Sequence, residues 1–397
     1  MINVCFFISS SINAPNGAAG FVRRLYSHSK SFESNGIKLV GPFCGVAASQ
    51  DMVKYSNSFT AKLKKLVKDT LAMTRWGTLR SLYLGGKRHA IEAINAFDNN
   101  SNSIDVAIFN DVDVLAVFIN HYPDFQGKII SIEHDNGVFG QMLLETYPNV
   151  PANVIAERLE LQCNANDLIV FVGECNRARF AYLNSNAAYK TRSIHLGIDD
   201  LLQVHNADAD VVLPNRRGAL TLISTGTICD RKNQLSIIRA IAQPGIKGKV
   251  SLILLGNGPD YEQALKLSKE LGVSKSVSLP GTTENVTGYL HKADSYICAS
   301  KSEGLPTAIL EAMAVGLPII TTKAGAAEEA VSNGNGMIIK GCGPVEIAGA
   351  IEELLKRKTE LKDMGAKSRE LFERCYTSEV MCSELSNLIC EIVGEVS

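Results

Sequence analysis

Short apolar segments alternate with helical segments through the second half of this 397-residue chain. Such alternation predicts βαβ units, in which each helix crosses between neighbouring strands of a parallel sheet. The strands of a parallel sheet are apolar throughout because helices cover both faces, and these segments fit that pattern. The predicted strands are Leu220–Ser224, Val250–Leu255, Val277–Leu279, Ser295–Cys298, Pro318–Thr321 and Gly336–Ile339, and the predicted helices are Gln234–Ala242, Asp260–Leu271, Asn285–His291 and Pro306–Ala314.

The first half of the chain repeats this alternation less regularly. Its predicted strands are Ile2–Ile8, Val106–Phe109, Ile129–Ile132 and Leu168–Val172. A polar stretch around Pro214 interrupts the pattern between the halves, as interdomain linkers do. We therefore predict an α/β protein with two doubly wound domains, residues 1–205 and 218–377, joined by a linker at 206–217 and followed by a C-terminal helix within 378–397. Ligands of such sheets bind beyond the carboxyl ends of the strands, so one cleft between the two domains is expected.

The composition excludes several classes of protein. Hydrophobic residues make up 46% and charged residues 20% of the chain, which excludes global disorder. Lys plus Arg number 40 against 41 for Asp plus Glu, so general nucleic-acid binding is not expected. No apolar run approaches the roughly 18 residues of a transmembrane helix. The 10 cysteines and 7 histidines lack metal-binding spacings, which favours a reduced, cytoplasmic protein without structural zinc.

The segment Ser300–Pro318 contains the most informative motif, a loop that follows a strand and opens a helix. Pro306 suits the first helical turn, where its missing N–H costs nothing. The N–H groups of that turn and the helix dipole favour an anion such as a diphosphate. Glu303 precedes the helix and Glu311 lies within it, so both carboxylates can face one ligand and accept hydrogen bonds from sugar hydroxyls. The alternative is a helix start with two solvated glutamates.

The pattern E-G-L-P-x-x-x-x-E-A-M-A-x-G-x-P, which begins at Glu303, resembles the signature of the family 4 retaining glycosyltransferases of GT-B fold. Glu303 and Glu311 match the E-x7-E motif of that family. The resemblance covers most of the chain and implies two facing Rossmann-like domains, with the C-terminal helix packing on the first. Further matches occur along the chain, and as an ordered set they are more specific than any single match. They are Asp167–Val170, Leu196–Asp199, Gly256–Pro259, Gly281, Asp294, Gly325 with Glu328, and Asn335-Gly336.

The resemblance implies roles for the residues of this motif. Glu311 is similar to the glutamate that binds the ribose hydroxyls of the nucleotide. Glu303 is similar to the glutamate that contacts the donor sugar. The backbone N–H groups of Gly304, Leu305 and Thr307 would hold the diphosphate.

The loop after the first strand of the second half resembles the family's G-R-x-x-x-x-K-[GN] loop. Lys232 stands where the family lysine binds diphosphate, and a cation there stabilises the negative charge of the leaving group. Thr227 replaces the usual arginine, so either Arg231 supplies a second charge or Lys232 acts alone. Gly256 and Gly281, in the loops after the next two strands, complete the implied donor site. The alternative is a solvated basic turn.

Two segments of the first half also resemble the family. His134 follows a strand and is similar to the histidine that lies near the anomeric centre of the donor and helps to position the sugar. A histidine considered alone is more often structural. Gly17 and Ala18 lie in a loop that resembles the family's G-G loop near the phosphates and the acceptor, with Ala18 replacing one glycine. A simple strand-to-helix turn accounts for that loop nearly as well.

Asp111-Val112-Asp113 has the D-x-D spacing of the metal motif found in the other main glycosyltransferase fold. We reject that interpretation because no other family matches surround it. The site at Glu303 would meet the diphosphate charge with a helix dipole and a lysine. We therefore expect no metal or cofactor requirement.

Basic and apolar residues are interleaved between residues 62 and 88. The basic residues are Lys62, Lys64, Lys65, Lys68, Arg75, Arg80, Lys87 and Arg88. Together with Trp76 they are typical of a segment that binds a membrane surface, here the inner face of the cytoplasmic membrane. The alternative is a solvated helix of the N-terminal domain.

The resemblance implies a hexosyltransferase that moves a sugar from a nucleotide sugar, by default UDP-linked and otherwise GDP-linked, to a hydroxyl of a glycan or lipid-linked acceptor. Cell-surface polysaccharide such as lipopolysaccharide or capsule would be the product. The anomeric configuration would be retained through same-face attack, with the departing phosphate taking the proton of the acceptor. Two alternatives are a nucleotide-sugar 2-epimerase of similar fold and a non-catalytic, sugar-nucleotide-binding partner subunit.

Overall fold

The computed structural model describes residues 1–14, 17–45, 86–98, 103–203, 211–215, 219–331 and 334–394. The chain divides into two compact units. The first comprises Met1–His195 and Met381–Ser397, and the second comprises Leu196–Val380. The division after His195 precedes the predicted linker, most of which lies outside the described residues.

The first unit contains a six-stranded parallel sheet with strand order β2-β1-β3-β4-β5-β6. Its strands are β1 (Ile2–Ile8), β2 (Ile37–Cys44), β3 (Val106–Phe109), β4 (Lys128–Glu133), β5 (Leu168–Val172) and β6 (Thr191–Ile194). Its helices before the second unit are α1 (Gly17–Ser27), α2 (Ser29–Glu33), α3 (Lys87–Asp98), α4 (Val112–His121), α5 (Gln141–Thr146), α6 (Ala152–Ala165) and α7 (Glu174–Leu183).

The four strands predicted for this unit are confirmed, and two strands were missed. β1, β3 and β5 have the predicted bounds, and β4 extends the prediction by one residue at each end. The missed strands β2 and β6 form the two edges of the sheet. Edge strands are partly exposed, so their sequences mix polar and apolar residues and lack the continuous apolar signal of central strands.

Aromatic side chains fill part of the core of this unit. The ring of Phe7 on β1 stacks on Phe109 of β3 at 5.1 Å between centroids, and Phe97 and Phe118 pack against Phe7 from the helices. All four rings are buried. Contacts of this kind hold the central strands at a fixed register beneath the loops at their carboxyl ends.

The second unit contains another six-stranded parallel sheet, with strand order β12-β11-β10-β7-β8-β9. Its strands are β7 (Leu220–Thr225), β8 (Val250–Leu255), β9 (Val277–Gly281), β10 (Ser295–Cys298), β11 (Ile319–Thr322) and β12 (Gly336–Ile339). Its helices are α8 (Gln234–Ile241), α9 (Tyr261–Glu270), α10 (Val286–Leu290), α11 (Thr307–Ala314), α12 (Pro344–Lys356) and α13 (Leu361–Cys375), followed by α14 (Ser378–Gly394), which belongs to the first unit from Met381 onward. All six strands predicted here are confirmed.

The strand order of the second unit decides where its functional loops meet. From β7 the chain proceeds to β8 and β9 on one side and then returns to β10 on the other side of β7. The loops after β7 and β10 therefore diverge at a topological switch point, where open α/β sheets bind their ligands. Helices α8 and α11 begin in this region.

Candidate functional site

Three loops of the second unit lie side by side through backbone contacts. The Gly256 N–H donates to the Gly281 carbonyl at 2.8 Å, and the Ile228 N–H donates to the Asn257 carbonyl at 3.0 Å. Gly256 has φ +140°, and a Cβ at this position would overlap the Gly226 carbonyl oxygen. Glycine is thus required for the close approach of the loops after β7 and β8. The structure brings the predicted residues Gly256 and Gly281 into direct contact.

The loop between β7 and α8 presents two cations from a backbone that Asn233 holds in place. Asn233 adopts φ +60°, and the N–H groups of Lys232 and Asn233 both donate to the Cys229 carbonyl at 3.0 Å. The buried Asn233 amide donates to the carbonyls of Ala299 at 3.1 Å and Cys342 at 2.8 Å. Asn233 therefore ties the cation-bearing loop to the segments that follow β10 and β12.

Lys232 and Arg231 converge on the carboxylate of Glu303. Its Oε1 lies 2.7 Å from Lys232 Nζ and 2.8 Å from Arg231 Nη1, and Arg231 Nη1 also donates to the Ser302 carbonyl at 2.8 Å. The Glu303 side chain is only 9% exposed. Burial raises the pKa of Glu303, but Lys232 and then Arg231 outweigh this effect and hold the pKa below its ordinary value. The site therefore contains an ionised carboxylate between two cations.

The backbone after Glu303 leads directly into α11. This helix begins at Thr307, one residue later than predicted, and its N-cap residue Pro306 provides no side-chain hydrogen bond to the helix. The first N–H groups of an α-helix have no acceptor within the helix, so this turn can bind an anion. The Ala326 N–H donates to the Gly304 carbonyl at 2.8 Å, which fixes the approach to the helix.

Gly325 permits this path of the chain. It has φ +59°, and a Cβ at this position would overlap the carbonyl oxygen of Glu303. Any larger residue would have to displace the segment that holds Glu303 and Gly304. The predicted family match at Gly325 thus has a physical basis in close backbone packing.

The remaining residues of the predicted donor site differ in their surroundings. Glu311 is half-buried on α11, Leu305 is buried, and Thr227 is exposed, with its carbonyl accepting from the Gln234 amide at 3.0 Å. Below them, the buried Tyr296 hydroxyl lies 3.4 Å from the hydroxyl of Thr225. Burial, then Cys298 and, more weakly, Glu311 raise the pKa of Tyr296. Glu311 is therefore close enough to Tyr296 of β10 to influence its charge, and it lies on the helix whose first turn follows Glu303.

In the first unit, His134 directly follows β4 and is held in a neutral state. Burial lowers its pKa to about 4, and the positive charge of Arg24 contributes. Its Nε2 lies 3.3 Å from the side-chain nitrogen of Asn110, and its ring meets Phe21 edge to face at 5.2 Å. The same nitrogen of Asn110 donates to the Ala18 carbonyl at 3.4 Å. With the amide nitrogen as the donor, Nε2 of His134 is the acceptor.

Gly17 is the first residue of α1, and the two preceding residues lie outside the described part of the chain. A Cβ at Gly17 would contact nothing within 4 Å. The structure therefore gives no steric reason for glycine here, and the donor role of this loop stays a prediction.

Both aspartates of the D-x-D sequence have protein partners. Asp111 caps α4 by accepting from the Val114 N–H at 3.0 Å, and it also accepts from the Ser9 N–H at 2.8 Å. Asp113 forms an ion pair with Arg158 at 2.5 Å. Among the described residues, no group of three or more His, Cys, Asp or Glu side chains is placed to hold a metal ion.

Sequence reasoning missed the polar residues around His134. Burial, followed by the charges of Asp135 and Asp111, raises the pKa of Glu133 to about 8, and Gln162 donates to Glu133 at 2.5 Å. Asn110 was missed as well, although its place directly after β3 is a usable signal. β1 and β3 are neighbours at the switch point of this sheet, so polar residues at their carboxyl ends are candidates for ligand contact.

A family model matches most of the second unit. Residues 208–371 match the family model described as glycosyl transferases group 1. Over these 164 residues, about two fifths of the chain, the protein is similar to the glycosyl transferases group 1 family. The matched residues contain the loops of Lys232 and Glu303, so the match covers the whole of the predicted E-x7-E motif.

Curated relatives of the chain include enzymes that build glycolipids. A GDP-mannose-dependent alpha-(1-6)-phosphatidylinositol monomannoside mannosyltransferase of Mycobacterium tuberculosis is 28% identical over 57% of this chain and 62% of its own length. The lipopolysaccharide core biosynthesis glycosyltransferase LpsE of Rhizobium meliloti is 30% identical over 37% of this chain and 44% of its own length. The chain spans less than two thirds of the length of these relatives.

Solved structures extend the comparison to both units. Sucrose-phosphate synthase from Thermosynechococcus elongatus has a TM-score of 0.73 at 17% identity, with all of both chains covered. Anabaena HepE in complex with UDP and glucose has a TM-score of 0.66 at 16% identity, covering 97% of this chain and 98% of its own. At these identities the likeness establishes the fold, and the predicted GT-B fold class is confirmed.

Most of the basic stretch between residues 62 and 88 lies outside the described residues, and of its basic residues the structure describes Lys87 and Arg88, at the start of α3. Within the part of the chain that the structure describes, no helix is long and apolar enough to cross a membrane.

Proposed function

We propose that this protein is a retaining glycosyltransferase that moves a sugar from a nucleotide sugar to a hydroxyl of a glycan or lipid-linked glycan. The observation that supports this proposal most directly is the convergence of Lys232 and Arg231 on Glu303, immediately before a helix N-terminus within the residues that match the group 1 family. Two cations and an open helix turn form a site suited to a diphosphate.

The proposed chemistry assigns each residue a task. Lys232 and Arg231 stabilise the negative charge that develops on the departing nucleoside diphosphate. The N–H groups at the start of α11 contribute to the same task without a metal ion. Glu303, which the two cations keep ionised, accepts hydrogen bonds from the donor sugar. Glu311 accepts from the ribose hydroxyls.

We propose retention through same-face attack, in which the acceptor oxygen bonds to the anomeric carbon as the bond to the phosphate oxygen breaks. The departing phosphate takes the acceptor proton, so this step needs no protein base. A neutral imidazole can accept one hydrogen bond and donate another, so neutral His134 is suited to form a hydrogen bond with the sugar. This fits the family resemblance, which implies that His134 helps to position the sugar.

The relatives support a lipid-linked acceptor in cell-surface polysaccharide or glycolipid synthesis. One is named for phosphatidylinositol monomannoside and another for the lipopolysaccharide core. The names of the similar proteins differ in the nucleotide of the donor. The first relative is GDP-mannose-dependent, whereas HepE was solved with UDP. We propose a UDP-sugar first and a GDP-sugar second.

A thermal-shift screen of nucleoside diphosphates and their sugars tests the donor. A ligand at one hundred times its Kd raises the free energy of unfolding by about 2.7 kcal/mol. The nucleotide that stabilises the wild type should stabilise Glu311→Ala less. Without the Glu311 carboxylate the ribose hydroxyls are left unpaired, which should lower nucleotide affinity about tenfold or more. Unchanged affinity of that variant in calorimetry would contradict the assignment of Glu311.

Acceptor assays with the selected donor then test the reaction. Transfer should require an acceptor, and the new linkage should keep the anomeric configuration of the donor. Release of nucleotide without any acceptor would indicate a 2-epimerase instead. Donor binding without turnover over a broad acceptor panel would indicate a non-catalytic partner subunit.

A further inference from the structure

Asn110 is joined to His134 by a side-chain contact whose direction is determined by a third group. The amide nitrogen of Asn110 lies 3.3 Å from Nε2 of His134 and 3.4 Å from the carbonyl oxygen of Ala18. A carbonyl oxygen can only accept a hydrogen bond, so the amide atom beside Ala18 must be the nitrogen. The opposite orientation of the amide would place two oxygens against each other. Asn110 is therefore the donor to both partners, with one N–H bond for each.

This direction determines which ring nitrogen of His134 carries the hydrogen. A neutral imidazole has one N–H, and the hydrogen bond made by one ring nitrogen decides which tautomer is present. Because Nε2 accepts from Asn110, the hydrogen of neutral His134 resides on Nδ1. The pKa of about 4 keeps the ring neutral at neutral pH.

The backbone on both sides of Asn110 is anchored to neighbouring elements. The Asn110 N–H donates to the Phe7 carbonyl at 3.1 Å, at the end of β1. The next residue, Asp111, accepts from the Ser9 N–H at 2.8 Å. These contacts tie the residues after β3 to those at the end of β1. The Asn110 side chain is thus presented to His134 from a fixed backbone.

The remaining ring nitrogen of His134 is available to a ligand. His134 is partly exposed and follows β4 at its carboxyl end, the edge at which open α/β sheets bind ligands. Phe21 meets the ring edge to face at 5.2 Å and offers no hydrogen-bond acceptor. Among the residues that the structure describes, none accepts a hydrogen bond from Nδ1.

We propose that Asn110 is a positioning residue that holds His134 in the Nδ1–H tautomer, so that the imidazole meets the donor sugar as a hydrogen-bond donor. The partner of Nδ1–H is then an accepting oxygen of the sugar, such as that of a hydroxyl group. The role at the sugar rests on the proposed function, whereas the tautomer is a property of the protein without substrate. Asn110 acts only through His134.

Nitrogen-15 NMR of the full chain without substrate tests the tautomer. Long-range ¹H–¹⁵N spectra distinguish a ring nitrogen that carries a hydrogen from one that does not, and His134→Gln identifies the signals of this residue among the 7 histidines. At neutral pH the wild type should carry the hydrogen on Nδ1. Asn110→Ala should show both tautomers, because nothing then confines the hydrogen to one nitrogen.

Asn110→Asp should reverse the tautomer. A carboxylate can only accept, so the hydrogen should move to Nε2, and the new negative charge should raise the pKa of His134. The other charged groups near His134 and Asn110 stay the same in this variant; they are Arg24 on α1, Glu133, Asp135 and Asp111. A change in the pKa of His134 therefore reports on residue 110.

Transfer kinetics test whether the tautomer matters to the reaction. Asn110→Ala should lower kcat/KM for the donor roughly three- to tenfold, which corresponds to one neutral hydrogen bond. Asn110→Asp should lower it further, because Nδ1 then meets the sugar as an acceptor. Nucleoside diphosphate affinity in calorimetry should not change, since the lost contact is to the sugar. Adding Asn110→Ala to His134→Gln should have no further effect, because Asn110 acts through His134.

Asn120→Ala is the matched control. Asn120 is exposed on α4, and its amide donates to the Ala116 carbonyl at 2.7 Å. Its replacement should change neither the spectrum of His134 nor the kinetics. Thermal unfolding checks that each variant is folded. The wild-type spectrum decides the tautomer by itself, so the test does not depend on any one variant.

Two results would overturn the proposal. Hydrogen on Nε2 of wild-type His134 would show that Asn110 accepts from the ring. Hydrogen on Nδ1, with transfer unchanged in Asn110→Asp, would show that the tautomer has no part in the reaction. A wild type that transfers no sugar would overturn the proposed function, and the role at the sugar with it, while the spectrum would still decide the tautomer.

Discussion

Glu303 is the residue on which the electrostatics of the candidate site depend. In the structure its carboxylate satisfies the two cations that a diphosphate would need. In our proposal, a ligand phosphate therefore competes with Glu303 for Lys232 and Arg231. We infer that Glu303 both positions the donor sugar and weakens binding of the nucleoside diphosphate product.

We expect Glu303→Gln to bind the nucleoside diphosphate roughly tenfold more tightly, because a negative charge beside the phosphates is removed. Sugar transfer should fall at the same time, since the donor sugar loses a charged acceptor. Calorimetry and steady-state kinetics measure the two effects. Asp230→Asn, which removes an exposed carboxylate from the same loop, should change neither much. Weaker product binding by Glu303→Gln would contradict this interpretation.

His134 allows a second prediction, on the pH dependence of stability. Its pKa of about 4 in the folded protein lies below the ordinary value of 6.5, so the unfolded chain binds a proton more readily. The stability contributed by neutral His134 is complete above about pH 6.5 and is lost as the pH falls toward 4. Between about pH 7.5 and pH 5 the free energy of unfolding should decrease by about 2 kcal/mol through this residue.

Urea unfolding at the two pH values measures this contribution. His134→Gln cannot take up a proton, so its free energy of unfolding should fall by about 2 kcal/mol less than that of the wild type over the same interval. Equal losses in the two proteins would show that His134 is exposed enough to titrate normally.

At the scale of elements, the start of α11 is shaped by the segment that packs beneath it. Gly325 lets its backbone approach Glu303 and Gly304, and the Ala326 N–H donates to Gly304. The helix turn, the carboxylate and the cations are thus held by backbone contacts between loops. These loops are far apart in the sequence, and it is the fold that brings them together.

We expect Gly325→Ala to lower both stability and nucleotide affinity. The new Cβ would overlap the Glu303 carbonyl at a backbone conformation that alanine disfavours, so the loop must shift. A loss of roughly 1–3 kcal/mol in the free energy of unfolding is expected. Gly349→Ala is the control, because it lies on α12 with open space around it and should stabilise by roughly 0.5–1 kcal/mol.

At the scale of the whole molecule, we propose that protein groups alone stabilise the negative charge of the leaving group. Activity should therefore persist in excess EDTA, because Lys232, Arg231 and the start of α11 supply the positive potential. Donor turnover with and without the chelator measures this. Complete loss of activity on chelation, with recovery on adding Mn²⁺ or Mg²⁺, would contradict it and return attention to Asp111 and Asp113.

The amino-acid sequence alone was enough to predict the strands of the second unit and the central strands of the first. Buried strands of a parallel sheet are mostly apolar, so β8 and β10 can be recognised from the sequence even though each contains one serine. The motif that begins at Glu303 could also be recognised from the sequence, because its signals are local. Helix-start chemistry and carboxylate spacing are local properties of the chain.

Tertiary structure decided the edge strands of the first unit, the contacts between distant loops and the surroundings of individual side chains. The edge strands β2 and β6 are recognisable only once their neighbours pair with them, because their own sequences mix polar and apolar residues. The pairing of Glu303 with Lys232 joins residues 71 positions apart, and no local pattern specifies it. The lowered pKa of His134 and the raised pKa of Glu133 could not be predicted from the sequence either. Each depends on which other segments lie nearby, and burial and charge are properties of the folded surroundings.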